Sequence, residues 1–564
     1  MRVLLTFFVF FFALLLAGPA DAQYFEWAFN PKGNDYDLSN DITSDKSGNN
    51  YLTGYFRSEN LDYGGTTLIN TGGVDGYGTP CFDMMVGKTT RSGAVVWARK
   101  FGQQNFFESG EGIACDEDGN VYVTGWFTSS SLQLDTITIS NGGGWDAFII
   151  KIDPAGNDSW AYSLGGGSDD VGNDICVDSD GNVIVAGYFW CSAITFGSTT
   201  LTNSGSCDVF MAKYDPAGNV IWAKKAGGGG QDVGTGLSTD ADDNIYLCGM
   251  FSSANMNFGS NTLATSGSTD AFTAKYNASG TDLWAKKAGG NKLDHAWAVS
   301  ACTQNGCVVT GAYTSTVLTL GTTTLTNALA NTYDAFIARY DSSGNLLWAK
   351  RAGMDKDDLG RGVACSQTGK IYMTGDFISN TLAFSTVSVQ NTDQSGTFSD
   401  AYVACFDESG NELWITGVVG LYNENAWSVS TDTLEHAYMT GSFESLSIDL
   451  SGIGCSNTGS TDFFYARMGP DTNSSAVTRI HAESQMILFP NPADEMVTVS
   501  MPAGFVADRL RLYDLGGRLI ESVFDPGNHG EWQYVIPEVQ DGCYIISVSG
   551  VSGNLQTLLM IRRR

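Results

Sequence analysis

The sequence predicts an all-β protein, a seven-bladed β-propeller followed by a small C-terminal β-sandwich. Three markers, each recurring seven times, predict the propeller. Tryptophans fall at Trp27, Trp97, Trp160, Trp222, Trp284, Trp348 and Trp414, at steps of 62 to 70 residues. A glycine closes an apolar run at Gly54, Gly125, Gly187, Gly249, Gly311, Gly375 and Gly441. An aspartate opens the next run at Asp83, Asp146, Asp208, Asp270, Asp334, Asp400 and Asp462. Self-similarity at a nearly fixed period marks a repeat architecture. Each unit holds four short runs rich in β-branched and aromatic residues, and four strands per repeat arranged radially make a propeller.

One unit shows the order of its elements. Asp170-Val-Gly-Asn-Asp-Ile-Cys-Val-Asp178 is the first strand, followed by the turn Ser-Asp-Gly-Asn182 and the second strand Val183-Ile-Val-Ala-Gly-Tyr-Phe189. The Thr-rich stretch from Phe196 to Gly205 makes the period long for a propeller and is expected to add a small hairpin. The third strand is Asp208-Val-Phe-Met-Ala-Lys-Tyr214, and the fourth, Val220-Ile-Trp222-Ala-Lys-Lys, follows the turn Asp215-Pro-Ala-Gly-Asn219. Turns this tight join neighbouring strands of one sheet. The glycine-rich connection from Trp222 to Asp232 is then the crossing from an outer strand to the next inner strand. Gly234, Gly236 and Ser238 on that next strand fit crowding near the axis. In this phase Tyr24-Phe-Glu-Trp-Ala28 is a lone outer strand, and the last unit, Glu424 to Met468, lacks one. The N-terminal strand 24–28 is therefore expected to complete the seventh blade and leave no open sheet edge in the ring.

Gly112-Ile-Ala-Cys-Asp116, Gly119-Asn-Val-Tyr-Val-Thr-Gly125 and Asp270-Ala-Phe-Thr-Ala-Lys-Tyr276 resemble the repeat of the secreted bacterial seven-bladed β-propeller (SBBP) family, and the resemblance runs through all seven units. It implies the fold and no particular activity, because function lives in sites grafted on folds.

The tryptophan rhythm stops after Trp414. Residues 471–486 are polar and aperiodic, which is a linker composition. A different module follows over 487–564. It carries Phe489-Pro490-Asn491-Pro492-Ala493, the alternating Val497-Thr-Val499, Leu510-Arg-Leu-Tyr-Asp514-Leu-Gly516-Gly517-Arg518, Asp541-Gly542-Cys543-Tyr544 and a basic end. Several short strands in so small a module predict a β-sandwich. Pro490, Asn491, Pro492, Asp514, Gly516, Gly542 and Tyr544 resemble the type A C-terminal sorting domain of the type IX secretion system of Bacteroidota, with Cys543 a departure from the usual uncharged residue. The resemblance implies recognition by that machinery. It also implies a protein secreted or displayed on the outer cell surface, reached through the periplasm of a Gram-negative bacterium.

The N-terminal end agrees with export. Met1-Arg2, the apolar run from Val3 to Leu16 and Ala20-Asp21-Ala22 make a signal peptide over 1–22, with the propeller domain spanning 23–470. The apolar run is short for a membrane span, so no transmembrane segment is expected after cleavage. The formal net charge of −31 repels nucleic acid and anionic membranes. Twelve cysteines in an exported chain permit disulfides. Cys302 with Cys307, across a tight turn, and Cys191 with Cys207, bracketing one loop, are the candidate pairs. Cys115 and Cys365 share a register with Val177 and Ala301, which predicts buried small apolar residues.

Catalytic constellations are not legible. The four histidines, His295, His436, His481 and His529, have neither ligand nor triad spacing. No metal site is assignable. The turns Asp116-Glu-Asp-Gly-Asn120 and Asp178-Ser-Asp-Gly-Asn182 resemble fragments of calcium loops but lack the downstream bidentate carboxylate. They read as plain turns, with no cofactor other than calcium to consider. Asp37, Glu108, Asp170, Asp232, Asp294, Asp358 and Glu424 precede the inner strands, one per blade. Such a ring is either a cation-attracting rim at the channel mouth or a set of local hydrogen bonds to loop amides.

Three residues further on, the units differ: Asn40, Glu111, Asn173, Thr235, Trp297, Arg361 and Trp427. Function in a symmetric scaffold belongs where the repeats depart from one another. Trp297, Arg361 and Trp427, from consecutive blades, together with Glu111, are the ligand-binding candidates. Two aromatics flanking a guanidinium could stack a sugar or hold an anionic group, against the alternative of plain blade-to-blade packing. The expected function is a non-enzymatic binding or adhesion module with a glycan or protein ligand. The alternatives are a carbohydrate-active enzyme, glycosidase or lyase, using carboxylates at the channel mouth, and a structural surface-layer component.

Overall fold

The computed structural model describes residues 24–303 and 306–469, together with C-terminal strands at 487–489, 496–500, 507–514, 519–524, 531–535, 542–550 and 553–561. The expected signal peptide, the linker 471–486 and Pro490, Asn491, Pro492 and Gly516 lie outside the described residues, whereas Asp514, Gly542 and Tyr544 belong to described strands. The chain divides into two compact units, residues 1–474 and 475–564. Every regular element among the described residues is a β-strand.

The first unit is a seven-bladed propeller. Blade 3 is typical, with Asp170–Val177, Val183–Phe189, Asp208–Tyr214 and Val220–Ala226 side by side in chain order. Its third strand is buried at every position, which explains an unbroken apolar run, while the outer strand alternates between covered and exposed residues. The Thr-rich loop of each unit folds into a two-stranded hairpin, here Ala193–Phe196 with Thr199–Thr202; in six units the hairpin is a separate sheet, whereas Val317–Leu320 with Thr323–Thr326 extends the sheet of blade 4 through Ala288 and Gly289. Blade 7 takes Glu424–Thr431, Ala437–Phe443 and Asp462–Gly469 from the end of the ring and Tyr24–Phe29 from the beginning. Tyr24 opposes Gly469 and Phe29 opposes Tyr465 across that last pairing.

The core is not one mass but a series of blade-to-blade seams. Each large cluster of buried residues joins two adjacent blades. One seam packs Ile149 and Phe148's neighbour Ala147 of blade 2 with Val185 and Phe210 of blade 3, and another packs Phe25 and Phe464 of blade 7 with Val403 and Tyr372 of blade 6.

The repeated tryptophan works across these seams. In blades 1 to 5 the indole N–H donates to a carbonyl in the outer hairpin turn of the following blade: Trp97 to Pro154, Trp160 to Pro216, Trp222 to Ala278, Trp284 to Ser342 and Trp348 to Glu408, at 3.0 to 3.2 Å. The indole also covers the glycine of that turn. A Cβ on Gly218, which has φ of +88°, would sit about 3.1 Å from the Trp160 ring, so both conformation and space require glycine there. Trp27 donates in the same way to Arg91 of blade 1, at 3.2 Å. The N-terminal strand therefore closes blade 7 and also locks it to blade 1.

One staple departs from expectation. Cys302 is bonded to Cys365, joining the inner strands of blades 5 and 6. Cys307 is not its partner. In the blade 5 ladder Cys302 opposes Gly306 and Ala301 opposes Cys307, so the two thiols lie on opposite sheet faces. Cys302 enters the seam with blade 6 and Cys307 the seam with blade 4. Cys365 is thus half of a disulfide rather than a packing residue, while Cys115 at the same register of blade 2 is free. Cys191 and Cys207 are also free, their sulfurs turned to the carbonyls of Ala193 and Asp232. The disulfide closes a 63-residue separation. Replacing both cysteines with serine is expected to cost about 3 kcal/mol, read as a lower urea midpoint. An unchanged midpoint would show that the staple adds no stability.

The second unit forms two sheets. One orders Ile487–Phe489, Met496–Ser500 and Glu531–Val535; the other orders Leu519–Phe524, Ala507–Asp514, Gly542–Gly550 and Gly553–Ile561.

Candidate functional site: the mouth of the propeller channel

The ring acids do not form a rim. Asp37, Glu108, Asp170, Asp232, Asp294, Asp358 and Glu424 are all fully buried. Each aspartate clasps the loops of its own blade. Asp232 accepts the Ser253 hydroxyl at 2.6 Å and the Gly228 amide at 2.7 Å, and Asp37, Asp294 and Asp358 accept Ser58, Ser315 and Ser379 likewise. In blade 3, where Cys191 replaces that serine, Asp170 accepts the Gly166, Trp190 and Cys191 amides. Burial raises these carboxyls despite the hydrogen bonds, Asp294 to about 6 and Asp358 to about 7. Glu108 and Glu424 carry one methylene more and fit the clasp worse. Neither Glu108 oxygen makes a hydrogen bond, and Glu424 keeps one, from the Ser445 amide at 3.3 Å. Burial first, with the neighbouring Asp83 or Asp400 adding to it, pushes both glutamates up to about 8. The third-strand aspartates are equally structural: Asp83, Asp208, Asp270 and Asp334 pair with Lys100, Lys225, Lys287 and Arg351 of their own outer strands.

The turn carboxylates weighed for calcium have protein partners. Asp178 accepts the amides of Asp180 and Asn182 and pairs with Lys213 at 2.6 Å; Asp116 accepts those of Asp118 and Asn120. Among the described residues no group of three or more His, Cys, Asp or Glu side chains is arranged to hold a metal ion.

The register where the repeats differ has a structural meaning that the sequence did not disclose. In every inner strand the ladder slips at this one residue: Asn40, Glu111, Asn173, Thr235, Trp297, Arg361 and Trp427 are each the extra residue of a β-bulge. A bulge re-aims its side chain out of the pleat. The seven bulge residues all line a cavity of about 360 Å³ at the axis. A second residue, fifteen positions on and just past the strand-closing glycine, holds several of them from behind. Trp126 donates its indole N–H to Glu111 at 2.8 Å, Arg361 donates Nε to Asp376 at 2.8 Å, and Trp427 donates to Ser442 at 3.1 Å. Ala312, the residue behind Trp297, is small.

The four candidates fall into two groups. Arg361 lies between two indoles, its guanidinium 5.1 Å from the Trp297 ring and 4.5 Å from the Trp427 ring. It is 23 % exposed, and among the described residues its terminal Nη nitrogens donate no hydrogen bond to protein. The stack is therefore both a blade-to-blade contact and part of the channel wall. Glu111 sits apart, half-buried, with its pKa raised by desolvation, and accepts Ser109, Trp126 and Asn40. Asn173 and Thr235 are seam links, donating to the Gly234 and Ala296 carbonyls of the next blade.

Two channel carboxylates were missed. Asp41 and Asp174 follow the bulge in blades 1 and 3, where the other units have Gly112, Gly236, Ala298, Gly362 and Ser428. Aligning the units one position further would have exposed them as the only acids of that register. Asp41 accepts Ser428 of blade 7 at 2.6 Å and the Ile113 amide of blade 2 at 2.8 Å; Asp174 accepts the Leu237 amide of blade 4 at 2.6 Å. Burial raises Asp41 to about 6 and, with the Asp41 charge, holds Asp174 well above the usual carboxylate range. Both are fastenings between inner strands.

Comparison with known proteins places the C-terminal module. Residues 487–562 match the family described as secretion system C-terminal sorting domain. An uncharacterized WD repeat-containing protein of Acanthamoeba polyphaga mimivirus is 32 % identical over 185 residues, 29 % of this chain and 13 % of that protein. The regulatory protein FlaEY of Caulobacter vibrioides is 32 % identical over 139 residues, 23 % and 14 % of the two chains. The chain thus spans only a small part of these relatives. Among solved structures, Sqt1 from Chaetomium thermophilum superposes with a TM-score of 0.36 at 8 % identity, covering 78 % of this chain and 99 % of its own. The extracellular domain of a putative hybrid two-component system from B. thetaiotaomicron gives 0.21 at 10 % identity, covering 95 % and 100 %. The chain thus joins a seven-bladed propeller to a secretion-system sorting tail, the make-up of a secreted propeller protein.

Proposed function

We propose that this propeller is a non-enzymatic binding module that holds an acidic group, on a glycan or a protein, at its channel mouth. The single supporting observation is Arg361, the one cation among the seven bulge residues, held between Trp297 and Trp427 with its Nη nitrogens free of protein acceptors. A guanidinium positioned by an ion pair and two aromatic faces is pre-organised to take a carboxylate or sulfate bidentately. The flanking indoles offer stacking surface to a sugar attached to that group. Binding is favoured over glycoside cleavage because Glu111, Asp41 and Asp174 are each occupied by protein donors. Such a module would act at the cell surface, adhering to matrix or host polymers after passage through the periplasm.

The test is an array of acidic glycans and proteins probed with the wild-type chain, Arg361→Ala, and the double variant Trp297→Ala/Trp427→Ala, with hydrolysis measured alongside. Arg361→Ala is expected to weaken binding roughly 10- to 100-fold, the value of one charge-assisted hydrogen bond or two. Turnover of any glycan would replace this function with an enzymatic one. Equal binding by all three proteins would move the site elsewhere.

A further inference from the structure

Blades 1 and 2 carry aromatic residues where the repeat does not ask for them. Three registers border the face on which the inner strands begin: the residue before the inner strand, the residue after the glycine of the second strand, and the residue before the third strand. Blade 1 fills them with Tyr36, Tyr55 and Phe82, and blade 2 with Phe107, Trp126 and Trp145. Blade 4 has Gln231, Met250 and Thr269 there, and blade 7 has Asn423, Ser442 and Thr461, yet both keep the same four-stranded order. Stability of the blade therefore does not require the rings.

The six rings form one continuous row. Tyr36 stacks on Tyr55 with centroids 6.3 Å apart, Tyr55 on Phe82 at 4.2 Å, and Trp126 on Trp145 at 4.3 Å with planes 14° apart. Phe82 bridges the halves, 5.9 Å from Trp126 and 5.0 Å from Phe107. Five are partly exposed, and Trp145 is 41 % exposed. Polar groups border the row at both ends and in the middle. Arg57 lies 5.4 Å over Tyr36 and pairs with Asp35, Asp169 accepts the backbone N–H of Trp145, and Glu111 holds the Trp126 indole.

We propose that this row is a second binding site, separate from the Arg361 stack, and that its occupant is a neutral polysaccharide chain. The exposed Trp145 ring, stacked by one face on Trp126, offers apolar surface to the C–H face of a pyranose ring, and the partly exposed rims of the other five rings carry that surface over two blades, which suits an extended polymer better than a compact molecule. Carboxylates and a guanidinium beside the ring planes are the groups that bind sugar hydroxyls. Charge selects against an acidic polymer: Asp35, Asp169 and Glu111 stand against the single, already paired Arg57, on a chain of net charge −31.

The experiment is electrophoresis of the full chain through native gels containing hydroxyethyl cellulose, laminarin, galactomannan or polygalacturonate. Trp145→Ala and Tyr55→Ala are compared with wild type, and Leu347→Ala, exposed on the outer strand of blade 5, is the control. Melting curves verify that each variant is folded. We expect at least one neutral polysaccharide to retard wild type and the control, and Trp145→Ala to lose the retardation. A folded Trp145→Ala retarded as strongly as wild type would overturn the proposal. So would a wild type retarded by none of the neutral gels, or by polygalacturonate alone; the latter result would instead support the acidic-group site at Arg361. Because Trp145 reports on one site and Arg361 on the other, either can fail without the other.

Discussion

Removal of residues 24–30 is expected to destabilise the whole ring, lowering the melting temperature by about 10 °C or more. The strand makes five residue pairs with Asp462–Gly469, and their ladder bonds contribute about 1 kcal/mol each. Phe25, 3 % exposed, fills the seam between blades 6 and 7, and truncating such a side chain costs about 3–5 kcal/mol. Trp27 packs edge-on against Tyr465 and caps the Arg91 turn of blade 1, while Arg467 pairs with Glu26. Together these terms rival the 5–15 kcal/mol typical of a folded domain. Deletion also leaves Asp462–Gly469 as an open edge, so self-association should accompany the loss. Phe25→Ala isolates the packing part and is expected to give a smaller drop in the same direction. A deletion variant that melts with wild type and stays monomeric would mean that blade 7 is stable with three strands.

Stability is expected to fall as pH rises from about 4.5 to about 8, and Glu108 and Glu424 contribute to this alongside buried aspartates such as Asp294 and Asp358. The folded pKa values of the two glutamates, about 8, lie above the ordinary 4.5. Between those limits the folded protein keeps protons that the unfolded chain releases, so raising the pH favours unfolding. Below about 4.5 both states are protonated and the penalty is absent; above about 8 it is complete. A displacement this large corresponds to as much as roughly 5 kcal/mol per group. Glu108→Gln and Glu424→Gln remove these two titrations and should make the pH profile of the urea midpoint shallower. Each variant should gain most on wild type at pH 8 and little at pH 4.5. Parallel profiles for wild type and the double variant would show that these clasps do not hold protonated carboxyls. Restoring the shorter acid, Glu108→Asp, should form with Ser129 the hydrogen bond that blades 1, 4, 5 and 6 make with their serines, and recover part of the stability at neutral pH.

Much of the fold is legible because the repeat writes each constraint seven times. The period places the blades, the Asx-Gly turns order the strands, and an outer strand to spare at the start of the array with one lacking at its end predicts the closure. What single residues do is less legible. Asp37 and its equivalents recur in every blade, which suits a rim and a clasp equally well; only burial separates the two, and all seven are buried. Cys302 and Cys307 are close in sequence, but one position of ladder register turns them to opposite faces. Asp41 and Asp174 stand out only once the units are aligned past the bulge. The candidate trio was found because departure from a repeat is visible without a structure, whereas its stacking geometry was not.

The sequence by itself determined the number of blades, their strand order, the shared ends of blade 7 and the sorting tail. All of these follow from local patterns: hydrophobic period, turn chemistry and motif spacing. Only the tertiary structure decided that the variable register is a bulge aimed at the axis, that Cys302 reaches Cys365, and that six aromatic residues from separate loops and strands of two blades meet in one row. These depend on which faces of neighbouring blades come together, and that is set by long-range packing between strands that lie far apart in the chain.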